Sequence, residues 1–489
     1  SATAAATAIA VAAAVADKDG KEGGTAGLAH FSFDIQVRPD CDGLAVASKQ
    51  CQWFYFGLRG ELATGQKLRF RLLGLTRFRK LQRLGVTSGD LLTDGFRPVF
   101  QDDASGGWRF VLGSYGVERH RDGSWAFVFE HTVSHSLGPG SELLFALTFP
   151  YPMARVRDYW HGARRSLVAA GAFARRELLA LTPGGRRVDL LTITWRSGGA
   201  PATSLQTRLA RGGRQALCFP CRRSVFVSAR VHPGETPASF MLEGLIDFLA
   251  SGSAAAQTLL RRYVFYVVPV LNPDGVELGH HRLDLAGTNL NRVYGRADPM
   301  RHPSVVAAQA ACRSAHEGQG GVRLYLDFHA HSNRRGVFLL GNSHTSSTGR
   351  DAAMGRLFGY ALARRCHLFE YSQSDFGDSM PGTGKSTIGH LTGSPLCFTV
   401  EASYFRGHHS ATPFDPGAWR SVGRGCLEAL LDLDRAENAV PVRSPVAVSE
   451  ELDDLRRVAA WLEAGADSSK PLELPGLEAG APSRARPQF

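Results

Sequence analysis

The sequence predicts an α/β domain built on a largely parallel central sheet and preceded by an antiparallel β-sandwich, and three observations carry that reading. Short aromatic and β-branched runs, separated by Gly, Asp and Ser clusters, fill residues 31 to 150. From Val188 onward, apolar strand-like runs alternate with helical stretches, the texture of an α/β layer structure. Four of those later runs end in polar groups of compatible chemistry. The chain is 489 residues long, more than one hydrophobic core serves, and its 44% hydrophobic content supplies two.

Residues 1–28 are Ala- and Gly-rich. Ala14-Val15-Ala16 loosely mimics a peptidase site, but there is no basic segment and little leucine, so this stretch reads as a low-complexity leader without order. The sandwich is assigned to residues 29–165. Its strand candidates are Phe31-Ser-Phe-Asp-Ile-Gln-Val, Trp53-Phe-Tyr-Phe, Lys67-Leu-Arg-Phe-Arg-Leu-Leu, Trp108-Arg-Phe-Val-Leu and Trp125-Ala-Phe-Val-Phe. Tyr151-Pro152 opens a helix expected to run to about Ala180.

The α/β domain, 166–437, carries strands at Val188–Trp195, Ser224–Ser228, Tyr263–Leu271, Val322–Phe328 and Leu396–Glu401. Pro237 to Ala250 reads as a helix with Phe240, Leu242, Leu245, Ile246 and Leu249 on one side, and the segment around Trp419–Leu433 as a closing helix. Residues 438–489 form a low-complexity tail. It holds one possible helix, Ser449 to Gly465, with a Leu452, Leu455, Val458, Leu462 stripe.

Lys and Arg number 56 against 45 Asp and Glu, a formal charge of +11 that attracts acidic partners. No basic run with interleaved aromatics occurs, which argues against a nucleic-acid partner. No apolar stretch of spanning length occurs either, which argues against a membrane. Eight sparse cysteines fit a reducing, cytoplasmic compartment, and Cys218 and Cys221 read as two ordinary thiols because no second ligand pair lies near them.

The chemistry concentrates at strand ends. Arg230-Val-His232-Pro-Gly-Glu235-Thr-Pro follows one buried strand and precedes a helix, so an imidazole and a carboxylate can turn toward one point as in three-ligand catalytic zinc sites. Asn272-Pro-Asp-Gly-Val276 ends the next strand. Arg282 and Asn289-Leu-Asn291-Arg292 follow it, two guanidinium forks and an amide suited to a carboxylate. A third strand delivers Asp327-Phe-His329-Ala-His331, where either histidine can be a third ligand. A fourth ends in Glu401, a carboxylate after an apolar run. Gly382-Thr-Gly384-Lys385-Ser386 imitates the end of a phosphate-binding loop, but Ser379 occupies the place of the required earlier glycine and no strand precedes it.

In this order, the motifs resemble those of the cytosolic carboxypeptidases, a branch of the zinc carboxypeptidase family. Gly279-His-His-Arg282, Thr399-Val-Glu401, Arg38-Pro-Asp40, Phe149-Pro-Tyr-Pro152 and Val188-Asp-Leu-Leu-Thr-Ile-Thr194 extend the likeness, which spans Phe31 to Ala436. The resemblance implies an α/β/α zinc carboxypeptidase domain with a mixed central sheet, and one Zn2+ per chain held by His232, Glu235 and His329. It implies Glu401 as the base acting on the attacking water and Arg282 as the group that holds the developing oxyanion. Asn291 and Arg292 would hold the terminal carboxylate of the substrate. Lys385, where the family usually has arginine, would line the pocket for a departing acidic side chain. The implied substrates are glutamylated tubulin or other acidic protein tails, cut at C-terminal or branch-point glutamates by a monomeric, cytoplasmic, microtubule-associated enzyme. The alternatives are a zinc carboxypeptidase or amidohydrolase acting on other acidic peptides, and a non-catalytic tubulin-binding module.

Overall fold

The computed structural model describes residues 12–16, 30–46, 48–76, 96–102, 106–196, 219, 222–318, 320–332, 334–342, 349–377, 380–407 and 412–438. Cys218, Cys221 and the Ser449–Gly465 stretch lie outside these residues.

The amino-terminal strands are β1 (Ala12–Ala16), β2 (Phe31–Gln36), β3 (Tyr55–Arg59), β4 (Lys67–Leu73), β5 (Val99–Gln101), β6 (Arg109–Phe110), β7 (Tyr115–Arg119), β8 (Trp125–Thr132) and β9 (Glu142–Ala146). They form a five-stranded sheet ordered β1-β2-β4-β8-β7 and a four-stranded sheet ordered β3-β9-β5-β6. Side-chain alternation sends Phe33, Phe70 and Phe129 inward from the first sheet and Phe56, Phe100 and Phe145 from the second, into one shared core. The Phe70 ring centroid lies 4.7 Å from that of Phe145 across the sheets.

Two features depart from expectation. β2 and β4 pair in parallel, so the larger sheet is mixed. And Ala12–Ala16, expected to lack order, pairs antiparallel with β2. Addition at a sheet edge uses main-chain groups alone, so an alanine-rich segment qualifies as well as any other.

Next come α1 (Met153–Ala169), β10 (Ala172–Leu181), β11 (Arg187–Trp195), β12 (Arg223–Ala229), α2 (Pro237–Ala250), α3 (Ala254–Arg262), β13 (Tyr263–Val268) and α4 (Pro273–Glu277). Then follow α5 (Pro303–Gly318), β14 (Val322–His331), β15 (Val337–Leu340), α6 (Gly349–Arg365), α7 (Gly384–Thr392), β16 (Cys397–Ser403) and α8 (Pro416–Asn438). The helix expected to reach Ala180 therefore stops at Ala169. Gly171 makes the break: its φ is +84° and a Cβ there would sit 3.1 Å from the Trp195 ring. The residues after it alternate in burial and pair with β11.

The seven-stranded sheet runs β10-β11-β13-β12-β14-β16-β15. Its four middle strands are parallel and its outer pairings antiparallel. One face packs Val225, Val227, Leu326 and Val400 against α1, α2, α6 and α8, and the other packs Phe226 and Tyr325 against α5 and α7. Trp160 and Leu167 place α1 in the core of this domain rather than in the sandwich. α2 is buried almost throughout, and α8 crosses it so closely that a Cβ on Gly244 would lie 1.9 Å from the Arg420 carbonyl. Among the described residues no helix is long and apolar enough to cross a membrane. The sandwich core is continuous with Ala330, Tyr404 and Phe405, residues just beyond two strands of the site or within them. Both domains therefore meet where the polar strand ends converge.

Candidate metal and catalytic centre

Parallel β13, β12, β14 and β16 bring their carboxyl ends to one edge of the sheet, and the loops and strand ends there carry the chemistry. After β12 the chain turns through Arg230, whose φ of +56° redirects it into His232-Pro-Gly-Glu235 before Pro237 starts α2. Arg230 is buried; its guanidinium donates to the Pro233 carbonyl, to the Tyr151 carbonyl at 3.1 Å and to Ser239 Oγ at 3.0 Å. This brace holds the turn between His232 and Glu235 from behind.

His232 Nδ1 lies 2.8 Å from Glu235 Oε1, and His329 Nδ1 lies 2.9 Å from Glu235 Oε2. One donor atom from each of these three buried residues falls within 4.8 Å of the others. The remaining ring nitrogens point at acceptors: His232 Nε2 is 3.1 Å from Asn289 Oδ1 and His329 Nε2 is 2.9 Å from Asp327 Oδ2. Acceptors on Nε2 favour the Nε2–H tautomer, which leaves both Nδ1 lone pairs aimed beside Glu235. Two imidazole nitrogens and a carboxylate oxygen form a zinc-type donor set with room for a fourth ligand, so the residues fit the metal that the motifs imply.

Charge and burial act together in this cluster. Burial, with help from Arg282, pushes His232 down to about 4. Burial also pushes His329 down, but the carboxylates of Asp327 and Glu235 outweigh it and hold His329 well above the ordinary histidine range. For Glu235, burial opposes ionisation while the two histidines favour it, and the carboxyl ends well below its usual range. Glu401 sits opposite His329 in the β14–β16 register, with Oε2 buried and unpartnered. Burial raises its carboxyl to about 7, with Glu235 and Asp327 adding to the rise and His329 and Arg282 opposing it.

All eight residues singled out from the sequence, His232, Glu235, Arg282, Asn291, Arg292, His329, Lys385 and Glu401, line one cavity of about 430 Å3. Asn291 is buried on a 3-10 turn, where its Oδ1 accepts from Gly384 N at 2.9 Å and its Nδ2 approaches His329 Nε2 at 3.4 Å. Arg292 follows it, exposed, with Nη1 donating to the Asn291 carbonyl at 2.7 Å. Lys385 is buried and donates from Nζ to the Gly341 carbonyl at 2.7 Å. The Gly-Thr-Gly-Lys-Ser stretch is simply the start of α7, capped by Thr383, whose side chain accepts from Ser386 N. His331, the other histidine open as a ligand, stays outside the cluster: its Nδ1 accepts from Arg334 N at 3.2 Å and its ring lies against Phe338.

Residues 173–350 match the family model described as zinc carboxypeptidase. Cytosolic carboxypeptidase 6 of Caenorhabditis elegans is 29% identical over 425 residues, 83% of this chain and 83% of that protein. Cytosolic carboxypeptidase-like protein 5 of Mus musculus is 25% identical over 571 residues, 90% of this chain and 62% of that one. The chain carries a zinc carboxypeptidase domain and is similar to the cytosolic carboxypeptidases over most of its length. In fold, this metallocarboxypeptidase matches a metallo-carboxypeptidase from Burkholderia cenocepacia with a TM-score of 0.63 at 23% identity, covering 83% of this chain and 93% of that one.

Several residues at the centre of this carboxypeptidase escaped the sequence reading. Asp327 was legible in principle, since residues two apart on a strand share a face with His329. Asn289 stood inside a quoted motif without a role. Gln50, Gln52 and Thr76, which line the cavity from the sandwich side, had no local signal at all. Tyr404 also lines the cavity, but its hydroxyl donates to the Gly234 carbonyl at 3.1 Å and its ring is buried, so it is part of the wall. Tyr371 packs against Phe376, outside the cavity lining.

Proposed function

We propose that the chain is a protein deglutamylase: with one zinc held by His232, Glu235 and His329, it removes C-terminal or branch-point glutamates from acidic tails such as those of glutamylated tubulin. Zinc bound there supplies Lewis acidity toward a scissile carbonyl and toward water. Glu401 holds or releases a proton at Oε2, and a carboxyl near 7 suits a group that takes a proton from water and returns it to a leaving amine. The Arg282 guanidinium, which has no hydrogen-bond or ion-pair partner among the described residues, stands ready for negative charge developing on the carbonyl oxygen. Arg292, with Asn291 behind it, receives the terminal carboxylate, and Lys385 meets the departing acidic side chain.

One observation carries the reading. The same cavity holds the three-residue donor cluster, an unpartnered carboxylate oxygen and the three cations Arg282, Arg292 and Lys385. An acidic substrate end is the chemistry that uses all of them. The net charge of +11 favours encounter with acidic tails, and the relatives' name, cytosolic carboxypeptidase, supports a cytoplasmic enzyme.

The test is mass spectrometry of glutamylated tubulin after incubation with the enzyme, with and without chelator, alongside a panel of peptides ending in α-linked glutamate, γ-branched glutamate, lysine or leucine. Chelator-sensitive loss of glutamate masses, abolished in Glu401→Gln, is the expected result. Faster release of lysine or leucine than of glutamate would defeat the substrate assignment and leave a carboxypeptidase of other specificity.

A further inference from the structure

Arg282 lies in a stretch without regular structure between α4 and the 3-10 turn at Leu290, so its own neighbours in the chain do little to fix it. What fixes it comes from the sandwich. Asp40, 4% exposed, reaches from the Arg38-Pro-Asp turn and accepts three consecutive main-chain N–H groups: His281 at 2.6 Å on Oδ1, Arg282 at 2.7 Å and Leu283 at 2.9 Å on Oδ2. Successive amides converging on one carboxylate make a backbone nest for an anion, and charge-assisted bonds of this kind are the strong ones.

The turn that presents Asp40 is itself pinned. Asp40 N donates to the Gln50 carbonyl at 2.7 Å, and Cys41, at a φ of +62°, donates from N to His280 Nε2 at 3.0 Å. His280 Nδ1 in turn lies 3.1 Å from the Leu283 carbonyl. The clamp reaches the metal-ligand turn as well, because the His281 carbonyl accepts from Gly234 N at 2.9 Å.

We propose that Asp40 is a positioning residue for catalysis: a sandwich-domain carboxylate that fixes the main chain at Arg282, so that the guanidinium stands in the cavity before substrate arrives. The inference rests on the proposed role of Arg282. It gives the sandwich domain a part in the reaction, since the clamp spans 242 positions of sequence to reach Arg282 N. A loosened Arg282 weakens an interaction made in the transition state rather than in substrate binding, so its signature is a lowered kcat at a nearly constant KM.

The experiment uses the full chain and the fastest-cleaved peptide of the panel above, with Asp40→Asn, Arg282→Ala and the double variant. His280→Ala, which loosens the same segment through Cys41, is the second probe should Asp40→Asn fold poorly. Asn keeps the shape of Asp but sets an NH2 against one of the three amides. Expected for Asp40→Asn is a fall in kcat of about 10- to 100-fold with KM changed by less than about threefold. Zinc stoichiometry should stay at the wild-type value, and the double variant should be no slower than Arg282→Ala alone. A wild-type kcat in Asp40→Asn, or losses that multiply in the double variant, would overturn the clamp while leaving the role of Arg282 standing. A wild-type kcat in Arg282→Ala would overturn both.

Discussion

Asp327→Asn tests how the buried carboxylate behind His329 shapes metal binding. The Asp327 side chain is fully buried, with Oδ1 accepting from Ser228 Oγ at 2.8 Å and Oδ2 lying 2.9 Å from His329 Nε2. An amide at this position has two orientations. If its oxygen stays on Ser228, its NH2 faces the ring N–H, and the imidazole must switch tautomer, placing a proton on the Nδ1 that faces Glu235. If the amide flips, its oxygen serves the ring and its NH2 donates to Ser228 Oγ, which can accept and already lies 3.1 Å from Tyr325 Oη. The flipped form keeps every hydrogen bond and loses only the negative charge.

The cost is therefore that of weakening an outer partner, about 10- to 100-fold in zinc affinity, or about 1.4 to 2.7 kcal/mol. Asp327→Ala, which offers Nε2 no acceptor and leaves a cavity, should exceed that range. Titration of zinc into apo-protein against a chromophoric chelator measures both. Wild-type affinity in Asp327→Asn would refute a contribution from the carboxylate's charge, and wild-type affinity in Asp327→Ala would refute the claim that the Nε2 partner sets which nitrogen binds metal.

Other expectations follow from the same geometry. Glu401→Gln should lower kcat by about 10²- to 10⁴-fold while zinc binds at full stoichiometry, because the amide cannot shuttle a proton; steady-state kinetics with metal analysis checks it. Lys385→Met, similar in volume and uncharged, should lower kcat/KM for glutamate ends by about 10- to 150-fold and spare leucine ends, the worth of a charge-assisted contact; an unchanged glutamate preference would remove Lys385 from the specificity pocket. Stability should carry an acid limb from His131, which is 1% exposed with its ring tilted against Phe100 at a centroid distance of 4.3 Å; burial lowers it from 6.5 to about 4. Since the unfolded chain takes up the proton first, this contribution is complete above pH 6.5 and is lost as pH falls toward about 4, up to roughly 3 kcal/mol. Denaturant titrations across that window should show the slope in wild type and a flattened one in His131→Gln.

Much of the site was readable because it is local. His232 and Glu235 share one turn, and that turn lies between a continuous apolar run and an amphipathic one, so both the donor pair and its place at a strand end follow from neighbours in the chain. The Asp-x-His spacing on β14 likewise reflects strand periodicity. Errors arose where two outcomes share one local pattern. Ala172 to Leu181 has enough alanine, leucine and arginine to continue a helix, and only the Gly171 turn against Trp195 and pairing with β11 make it a strand. The parallel pairing of β2 with β4 and the addition of β1 at the sheet edge depend on main-chain partners that no side-chain pattern announces.

By itself, then, the sequence determined the two-layer plan of sandwich and α/β domain, the His232–Glu235 turn and the set of polar strand ends, since each depends on residues a few positions apart. Only the tertiary structure brought His329, which the family resemblance had already preferred to His331, into the cluster, set Glu401 across the sheet from it, and put Asp40 on the backbone of Arg282. Those three facts depend on sheet register and on packing between domains. Register and packing are settled by the burial of whole faces, and a residue's own neighbours in the chain carry no record of which face it will meet.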